Sequence, residues 1–143
     1  MARKLVLMGS GENSPAMVTP HQNILKGFNK DAKRINLDTP YGFQENADEL
    51  TARILGYFEK NVGSPIEDIK LRNLKDDYKE ALNQIDKADW IFSGPGSPTY
   101  ALRVWSESGV GEKLKSLLNR GSVVMASAAA MTLGSEVVPV YEM

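Results

Sequence analysis

Short apolar runs alternate along the chain with longer stretches in which hydrophobic residues recur at helical spacing. Each short run is bounded by glycine, proline or charged residues, as strands buried in a sheet usually are. The predicted strands cover Lys4–Gly9, Ala32–Asp38, Ile66–Leu74, Asp89–Gly96 and Ser122–Ser127.

The segments between these strands carry apolar side chains every three or four residues, which is the pattern of an amphipathic helix. The clearest of them is Glu45–Val62. A helix predicted over 15–28 contains Pro20, which should divide it into two pieces. Further helices are predicted over 76–88, 98–105 and 110–119.

Strands that alternate with helices are typical of βαβ units and of a mostly parallel sheet. The sequence therefore predicts an α/β fold of the three-layer αβα, flavodoxin-like kind, with residues 1–143 as a single domain. In such sheets ligands bind outside the carboxyl ends of the strands. We expect one cleft there, formed by the residues that follow four strands, namely Gly9–Ser14, Thr39–Gln44, Gly94–Ser97 and Ser127.

Composition narrows the chemistry that this cleft can perform. The chain has no cysteine, which excludes disulfides, thiolate metal sites and a cysteine nucleophile. Its one histidine, His21, cannot by itself provide a zinc site, and we expect it at the surface or at an interface. From there it could not serve as the base of a serine triad. We expect neither a metal nor a cofactor.

Charge and hydropathy limit the partners. A net charge of -1 gives no attraction to nucleic acid or to an anionic membrane. The N-terminal apolar run is too short for a signal peptide or for the roughly 20 apolar residues of a membrane span. The sequence thus predicts a cytoplasmic protein that binds neither nucleic acid nor membranes.

Ser127 stands where a predicted strand meets a run of alanines. In a nucleophile elbow, a serine at such a junction sits on a strained turn that exposes its hydroxyl, and the next backbone N–H faces an oxyanion hole. The elbow favours glycine two residues before and after the serine, but Met125 and Ala129 occupy those positions. A second interpretation therefore stays open, in which Ser127 is a tightly packed turn residue or a helix cap.

Two glycine-containing loops also follow predicted strands. Gly94 and Gly96 allow close backbone approach, and Ser97 is a suitable helix start, so this loop either binds an oxyanion or carboxylate or simply connects strand and helix tightly. The loop Gly9–Ser14 lacks the lysine of a P-loop and the GxGxxG spacing, which argues against nucleotide binding. Glu12 in this loop either faces the cleft or is solvated.

The order of these motifs resembles a known group of proteins. The segments KLVLMGSGE, LDTPYGFQENADE, DWIFSGPGSPTYAL and VVMASAAAMTLG are similar to those of the class I glutamine-amidotransferase-like superfamily. Within it, the resemblance is to the serine peptidase family of dipeptidase E and cyanophycinase, and it runs from Lys4 to Met143. It implies a serine hydrolase fold, with this chain corresponding to the N-terminal part of a longer family domain.

The resemblance also implies roles for individual residues. The nucleophile falls on Ser127, and the oxyanion donors fall on the backbone of Gly96 and Ala128. The family's histidine lies tens of residues after the serine, in a part that this chain does not contain. The ligand cleft implied by the resemblance includes Gly9, Gly11, Glu12, Gly94 and Ser97.

Two functions from different classes are compatible with these observations. The first is a divergent serine peptidase or hydrolase that acts on a peptide or small-molecule substrate. The second is a non-catalytic relative that binds a small carboxylate or amide ligand, or that acts through its oligomer. Amidotransferase activity needs a cysteine at the elbow and is excluded. We also expect a homo-oligomer that buries an uncovered apolar edge near Val137–Tyr141.

Overall fold

The computed structural model of the chain describes residues 3–140, in which strands and helices alternate as the sequence predicts. The strands are β1 (Leu5–Met8), β2 (Arg34–Leu37), β3 (Glu67–Ile69), β4 (Trp90–Ser93) and β5 (Ser122–Ala126). The helices are α1 (Val18–Leu25), α2 (Ala47–Tyr57), α3 (Tyr78–Asp86), α4 (Pro98–Ser108), α5 (Val110–Leu117) and α6 (Ser127–Met131).

The strands form one sheet in the order β1-β5-β4-β2-β3, and every pair of neighbours is parallel. This confirms the predicted α/β, flavodoxin-like fold class. Because all strands run in the same direction, their carboxyl ends lie at one edge of the sheet, where ligands bind in folds of this kind. The loops after β1, β2, β4 and β5 therefore share that edge.

Helices cover both faces of the sheet and bury two separate hydrophobic cores. On one face α3, α4 and α5 pack on alternate residues of the strands, among them Ile91, Val123 and Met125. On the other face α1 and α2 pack on the intervening residues, including Trp90, Phe92 and Val124. The strands at the centre of the sheet are apolar on both faces for this reason.

Two helices depart from their predicted form. The segment predicted over 15–28 begins as a 3-10 turn at Pro15–Met17 before α1 starts, so the helix is divided just ahead of Pro20. α2 ends in a wider π-helical turn, Phe58–Val62. Gly63 then ends that turn in the left-handed region with a φ of 76°, which glycine adopts without steric cost.

His21 lies in the core, so the prediction of a surface or interface position is wrong. Its side chain is fully buried, and its ring makes edge-on contacts with Tyr57, Phe58 and Phe92. Its Nε2 atom is 2.8 Å from the backbone oxygen of Glu12 and donates a hydrogen bond to it. Burial lowers the pKa of His21 below its usual value, so the neutral ring is the stable form in the folded protein.

Strand β1 leaves one edge of the sheet uncovered in the described part of the chain. It pairs only with β5, and the side chains of Leu5 and Leu7 are 49% and 59% exposed. Leu5 also lines an apolar groove of about 520 Å³, together with Leu102 and Leu133. An edge strand with exposed apolar side chains is a template for pairing with another chain.

The segment near Val137–Tyr141, which was expected to form an uncovered apolar strand edge, does not join the sheet within the described residues. Residues 137–140 belong to no strand, and Val138 and Val140 are exposed, while Tyr141 lies outside the described residues. Within residues 3–140, the sheet edge that exposes large apolar side chains is β1. None of the helices within residues 3–140 is long and apolar enough to cross a membrane.

The burial of His21 predicts a loss of stability in mild acid. In the unfolded chain the ring takes up a proton below its ordinary pKa of about 6.5, whereas the folded state resists protonation. The unfolded state therefore binds more protons as the pH falls, and the free energy of unfolding should decrease by up to about 1.4 kcal/mol per pH unit. Urea midpoints between pH 7.5 and 5.5 measure the effect.

A His21→Phe variant isolates the contribution of histidine protonation to the free energy of unfolding, because the chain has one histidine. Asp68, whose pKa burial raises to about 6, acts in the opposite direction and is present in both proteins. The variant should lose stability less steeply than the original chain over this range. Equal slopes in the two proteins would show that His21 does not resist protonation.

For the uncovered edge we propose that a second copy of the chain pairs along β1. Leu7→Lys should then convert a dimer into a monomer, because a charge at this exposed position is costly to bury in an interface. Sedimentation velocity gives the oligomeric state. Leu74→Lys, which alters an exposed leucine in the connection between β3 and α3, is the matched control and should leave the dimer intact. A monomeric original chain at high concentration contradicts the proposal.

Candidate active site

Ser127 occupies a strained turn between β5 and α6. Ala126 is extended, with φ -123° and ψ 152°, and Ser127 then turns sharply with a φ of 50°. Among residues 3–140 it is the single non-glycine residue with a positive φ. A serine held in this region costs of order 1–3 kcal/mol and persists only when its surroundings enforce it. A sharp turn of this kind between a strand and a helix is the backbone shape that a nucleophile elbow requires.

The strained turn at Ser127 forms although Met125 and Ala129 occupy the positions at which an elbow favours glycine. The side chain of Met125 is fully buried in the core beneath α4 and α5, with Val123 beside it on the same face of β5. The backbone N–H of Ala129 donates a 3.1 Å hydrogen bond to the carbonyl of Gly94. This bond joins the first turn of α6 to the loop after β4 and holds the helix close to the neighbouring strand end.

The loop Gly94–Ser97 is packed against the loop after β2. Gly96 has a φ of 141°, and a Cβ atom added there would lie 1.9 Å from the carbonyl oxygen of Pro40. The N–H of Ser97 donates a 2.8 Å hydrogen bond to that same oxygen. A side chain at position 96 is therefore excluded both by the backbone conformation and by the neighbouring loop.

Ser97 acts as a helix cap. Its side chain is buried, and its Oγ atom accepts a 3.2 Å hydrogen bond from the N–H of Tyr100 at the start of α4. Pro98 occupies the first turn of this helix, where no intrahelical N–H is needed. The predicted helix start is thus confirmed, and the Ser97 hydroxyl belongs to the scaffold of the loop.

The two predicted oxyanion donors face no backbone acceptor in the described loops and turns. Neither the N–H of Gly96 nor that of Ala128 donates to a carbonyl in the hydrogen bonds that connect these loops. Ala128 follows Ser127 in the first turn of α6, where N–H groups have no intrahelical partner. The geometry brings the loops of both donors together through the bond between Gly94 and Ala129.

The loop after strand β2 contributes a buried ion pair that local sequence patterns do not predict. The carboxylate of Asp38 is inaccessible and accepts hydrogen bonds from the N–H of Leu71, at 2.8 Å, and from Nε of Arg72, at 2.6 Å. Arg72 also contacts Asp48 at 2.8 Å. Burial raises the pKa of Asp38, and the hydrogen bond from Arg72 opposes that rise.

This ion pair fixes the loop that supports Gly96. Thr39 donates a hydrogen bond to the carbonyl of Leu71, and the hydroxyl of Tyr100 donates to the carbonyl of Arg72. The segment after β3 is thereby tied to the loop after β2 and to α4. In the sequence, only the aspartate directly after a buried strand indicates this ion pair. Its arginine partner lies 34 residues away and is brought close only by the fold.

The loop after β1 places Glu12 beside the glycine loop. Glu12 is 6% exposed, and its Oε1 atom lies 3.5 Å from the position that a Cβ at Gly94 would take. Gly11 has a φ of 83°, which allows the turn, whereas Gly9 is exposed and a Cβ there would have no neighbour within 4 Å. Glu12 is therefore buried beside the glycine loop and is not a solvated loop residue.

No general base contacts Ser127 in the described part of the chain. The Ser127 side chain is half-buried, and none of the hydrogen bonds between side chains of residues 3–140 includes it. His21 is held in the aromatic cluster with its Nε2 on the Glu12 carbonyl. No group of three or more histidine or acidic side chains in residues 3–140 is arranged to hold a metal ion.

The similarity of this chain to known proteins lies in its fold. No protein-family model matches the chain, and no curated protein matches it. Several solved structures share its fold. One is a peptidase from an acI-B1 actinobacterium, with a TM-score of 0.80 and 22% identity over 93% of this chain.

The second solved structure comes from Listeria monocytogenes EGD-e and is described as a proposed peptidase E, with a TM-score of 0.66 and 17% identity over 89% of this chain. At these identities the likeness establishes the fold, and it agrees with the resemblance in the sequence motifs. The chain spans 57% and 59% of the lengths of these two proteins.

Replacing Gly96 should disrupt the cleft. Gly96→Ala forces a Cβ against the Pro40 carbonyl and places alanine at a φ of 141°, so we expect a loss of at least about 2 kcal/mol in the free energy of unfolding. Gly9→Ala is the matched control at another strand end, because its Cβ would meet no atom within 4 Å. Chemical denaturation compares the two. Equal stability of both variants contradicts the packing of this loop.

Proposed function

We propose that this chain carries the nucleophile and oxyanion groups of a serine peptidase-type hydrolase. The observation that carries the proposal is the positive φ of Ser127 at the end of β5. A strained backbone at an otherwise ordinary serine is expected where the strain serves a function. The two structural neighbours named as peptidases and the dipeptidase E-like motifs support the same class.

In the proposed reaction the Ser127 hydroxyl attacks the carbonyl carbon of an amide and transfers its proton to a base. The N–H groups of Gly96 and Ala128 stabilise the negative oxygen of the tetrahedral intermediate. Collapse of the intermediate breaks the C–N bond, the leaving amine takes up the proton, and an acyl-serine remains. Water then attacks the acyl-serine and releases the carboxylic acid.

The proposed reaction needs a general base, and the described residues do not supply one. The family resemblance assigns it to a histidine downstream of the serine. A serine hydroxyl without a base is a weak nucleophile at neutral pH. Loss of a triad member leaves a residual acceleration of about 10³ to 10⁴ over water, which comes from binding and oxyanion stabilisation.

The alternative is a non-catalytic binding protein. It is favoured by the absence of any hydrogen-bond partner for the Ser127 side chain within residues 3–140 and by the burial of His21. In this case the same cleft binds a small amide or carboxylate and the serine does not react. The two functions differ in the reactivity of Ser127, which can be measured directly.

Labelling with a fluorophosphonate probe, followed by peptide mass spectrometry, tests the proposal. We expect modification of Ser127 alone, lost in Ser127→Ala and retained in Ser106→Ala, which alters an exposed serine on α4. Without a base in contact, labelling should be slow, and the 143-residue chain should show no appreciable hydrolysis of aspartyl dipeptides. Absence of labelling favours the binding protein. Hydrolysis at ordinary enzyme rates, abolished by Ser127→Ala, would mean that a base reaches the serine.

A further inference from the structure

Arg72 joins three elements around the loop that supports Gly96. Its Nε atom donates a 2.6 Å hydrogen bond to Asp38 directly after β2, and its Nη2 atom lies 2.8 Å from a carboxylate oxygen of Asp48 on α2. Its backbone carbonyl accepts a hydrogen bond from the hydroxyl of Tyr100 on α4. Because α2 and α4 cover opposite faces of the sheet, this one residue ties a strand end to both layers of helices.

The backbone of Arg72 is packed against the loop after β2. A Cβ atom added at Gly42 would lie 2.6 Å from the Cα atom of Arg72, so no side chain fits between them. The N–H of Arg72 donates a 2.7 Å hydrogen bond to the carboxylate of Asp76, and the Arg72 side chain is 13% exposed. Side chain and backbone are thus both held, and the position of Arg72 limits where the loop after β2 can lie.

The path from this ion pair to the oxyanion loop is short and consists of buried groups. Thr39, the residue after the aspartate of the pair, is inaccessible and donates a 2.7 Å hydrogen bond to the carbonyl of Leu71. The next residue is Pro40, whose carbonyl accepts the N–H of Ser97 and leaves no room for a side chain at Gly96. A shift of the loop after β2 therefore moves the peptide that carries the Gly96 N–H.

The ion pair is sensitive to the loss of one partner. The Asp38 carboxylate is inaccessible, and its two described donors are the N–H of Leu71 and the guanidinium of Arg72. Removal of one partner of a buried pair leaves an uncompensated charge, whereas replacement of both partners by neutral groups is tolerated. An unpaired carboxylate at this depth has to move towards water or take up a proton. Both changes alter the hydrogen bonds at the start of the loop after β2.

We propose that Arg72 is a positioning residue for the oxyanion site: through its ion pair with Asp38 it holds the loop after β2 where the Pro40 carbonyl orients the peptide of Gly96. The role of the Gly96 N–H as an oxyanion donor rests on the proposed function. Such donors act only when they are placed accurately, and a misplacement of about 1 Å by a change far from the chemistry costs about 10²-fold in rate.

NMR spectroscopy of the backbone amides tests the positioning without a reactive serine. We expect Arg72→Gln to shift the amide signals of Gly96 and Ser97 and to speed hydrogen exchange of the Ser97 N–H by about tenfold or more, because its bond to Pro40 is loosened. The double variant Asp38→Asn with Arg72→Gln pairs two neutral amides. It should restore most of the signals and of the protection, since no buried charge is left unpaired.

Three further variants serve as controls. Ile85→Ala shortens a buried side chain on α3 and lowers the stability with the ion pair intact, so the Gly96 and Ser97 signals should stay in place. Asp48→Asn removes the exposed partner of Arg72 and should have little effect, because exposed ion pairs contribute little. Arg72→Lys keeps the charge but not the planar fork, and it provides a milder change if Arg72→Gln does not fold.

The rate of fluorophosphonate labelling of Ser127 then tests the consequence for the oxyanion site. The phosphonyl oxygen gains negative charge as the serine attacks, so the rate depends on the donors that face this oxygen. We expect Arg72→Gln to lower the rate by about tenfold or more. The double variant with Asp38→Asn should restore it to within about threefold of the original chain.

The outcomes distinguish this inference from the proposed function. Unchanged Gly96 and Ser97 signals in Arg72→Gln overturn the positioning role, and so does an equal change in Ile85→Ala or a double variant that restores nothing. Labelling of Ser127 at the original rate in Arg72→Gln supports a reactive serine and refutes the role of Arg72. If the original chain is not labelled, the proposed hydrolase fails, and the amide signals alone decide whether Arg72 positions the loop.

Discussion

The close approach of backbones at the carboxyl ends of β2, β4 and β5 is the constraint on which the cleft depends. The Pro40 carbonyl leaves no room for a side chain at Gly96 and accepts the hydrogen bond of Ser97. The Gly94 carbonyl, two residues earlier, accepts the hydrogen bond from Ala129. The loop Gly94–Ser97 therefore contacts the loop after β2 on one side and the first turn of α6 on the other. It fixes the distance between them.

The strain at Ser127 is tolerated because its neighbours are anchored on both sides. Ala128 and Ala129 are buried, and Met125 is inaccessible two residues before the serine. These contacts define the direction of β5 and of α6, so the turn between them has little freedom. A glycine before the elbow is unnecessary here, since the Met125 side chain enters the core away from the loop. Local strain is thus balanced by packing on the far face of the sheet.

The sequence predicted the elements and the parallel sheet because those depend on periodicity within short windows. It also predicted which loops meet, since the carboxyl ends of parallel strands share an edge. It missed the burial of His21, because a lone polar residue in a helix carries no sign of the aromatic rings that enclose it. The pairing of Asp38 with Arg72 and the uncovered position of β1 depend on strand order, which local patterns do not specify. The conformation of Ser127 was left open for the same reason, since Met125 and Ala129 differ from the usual glycines.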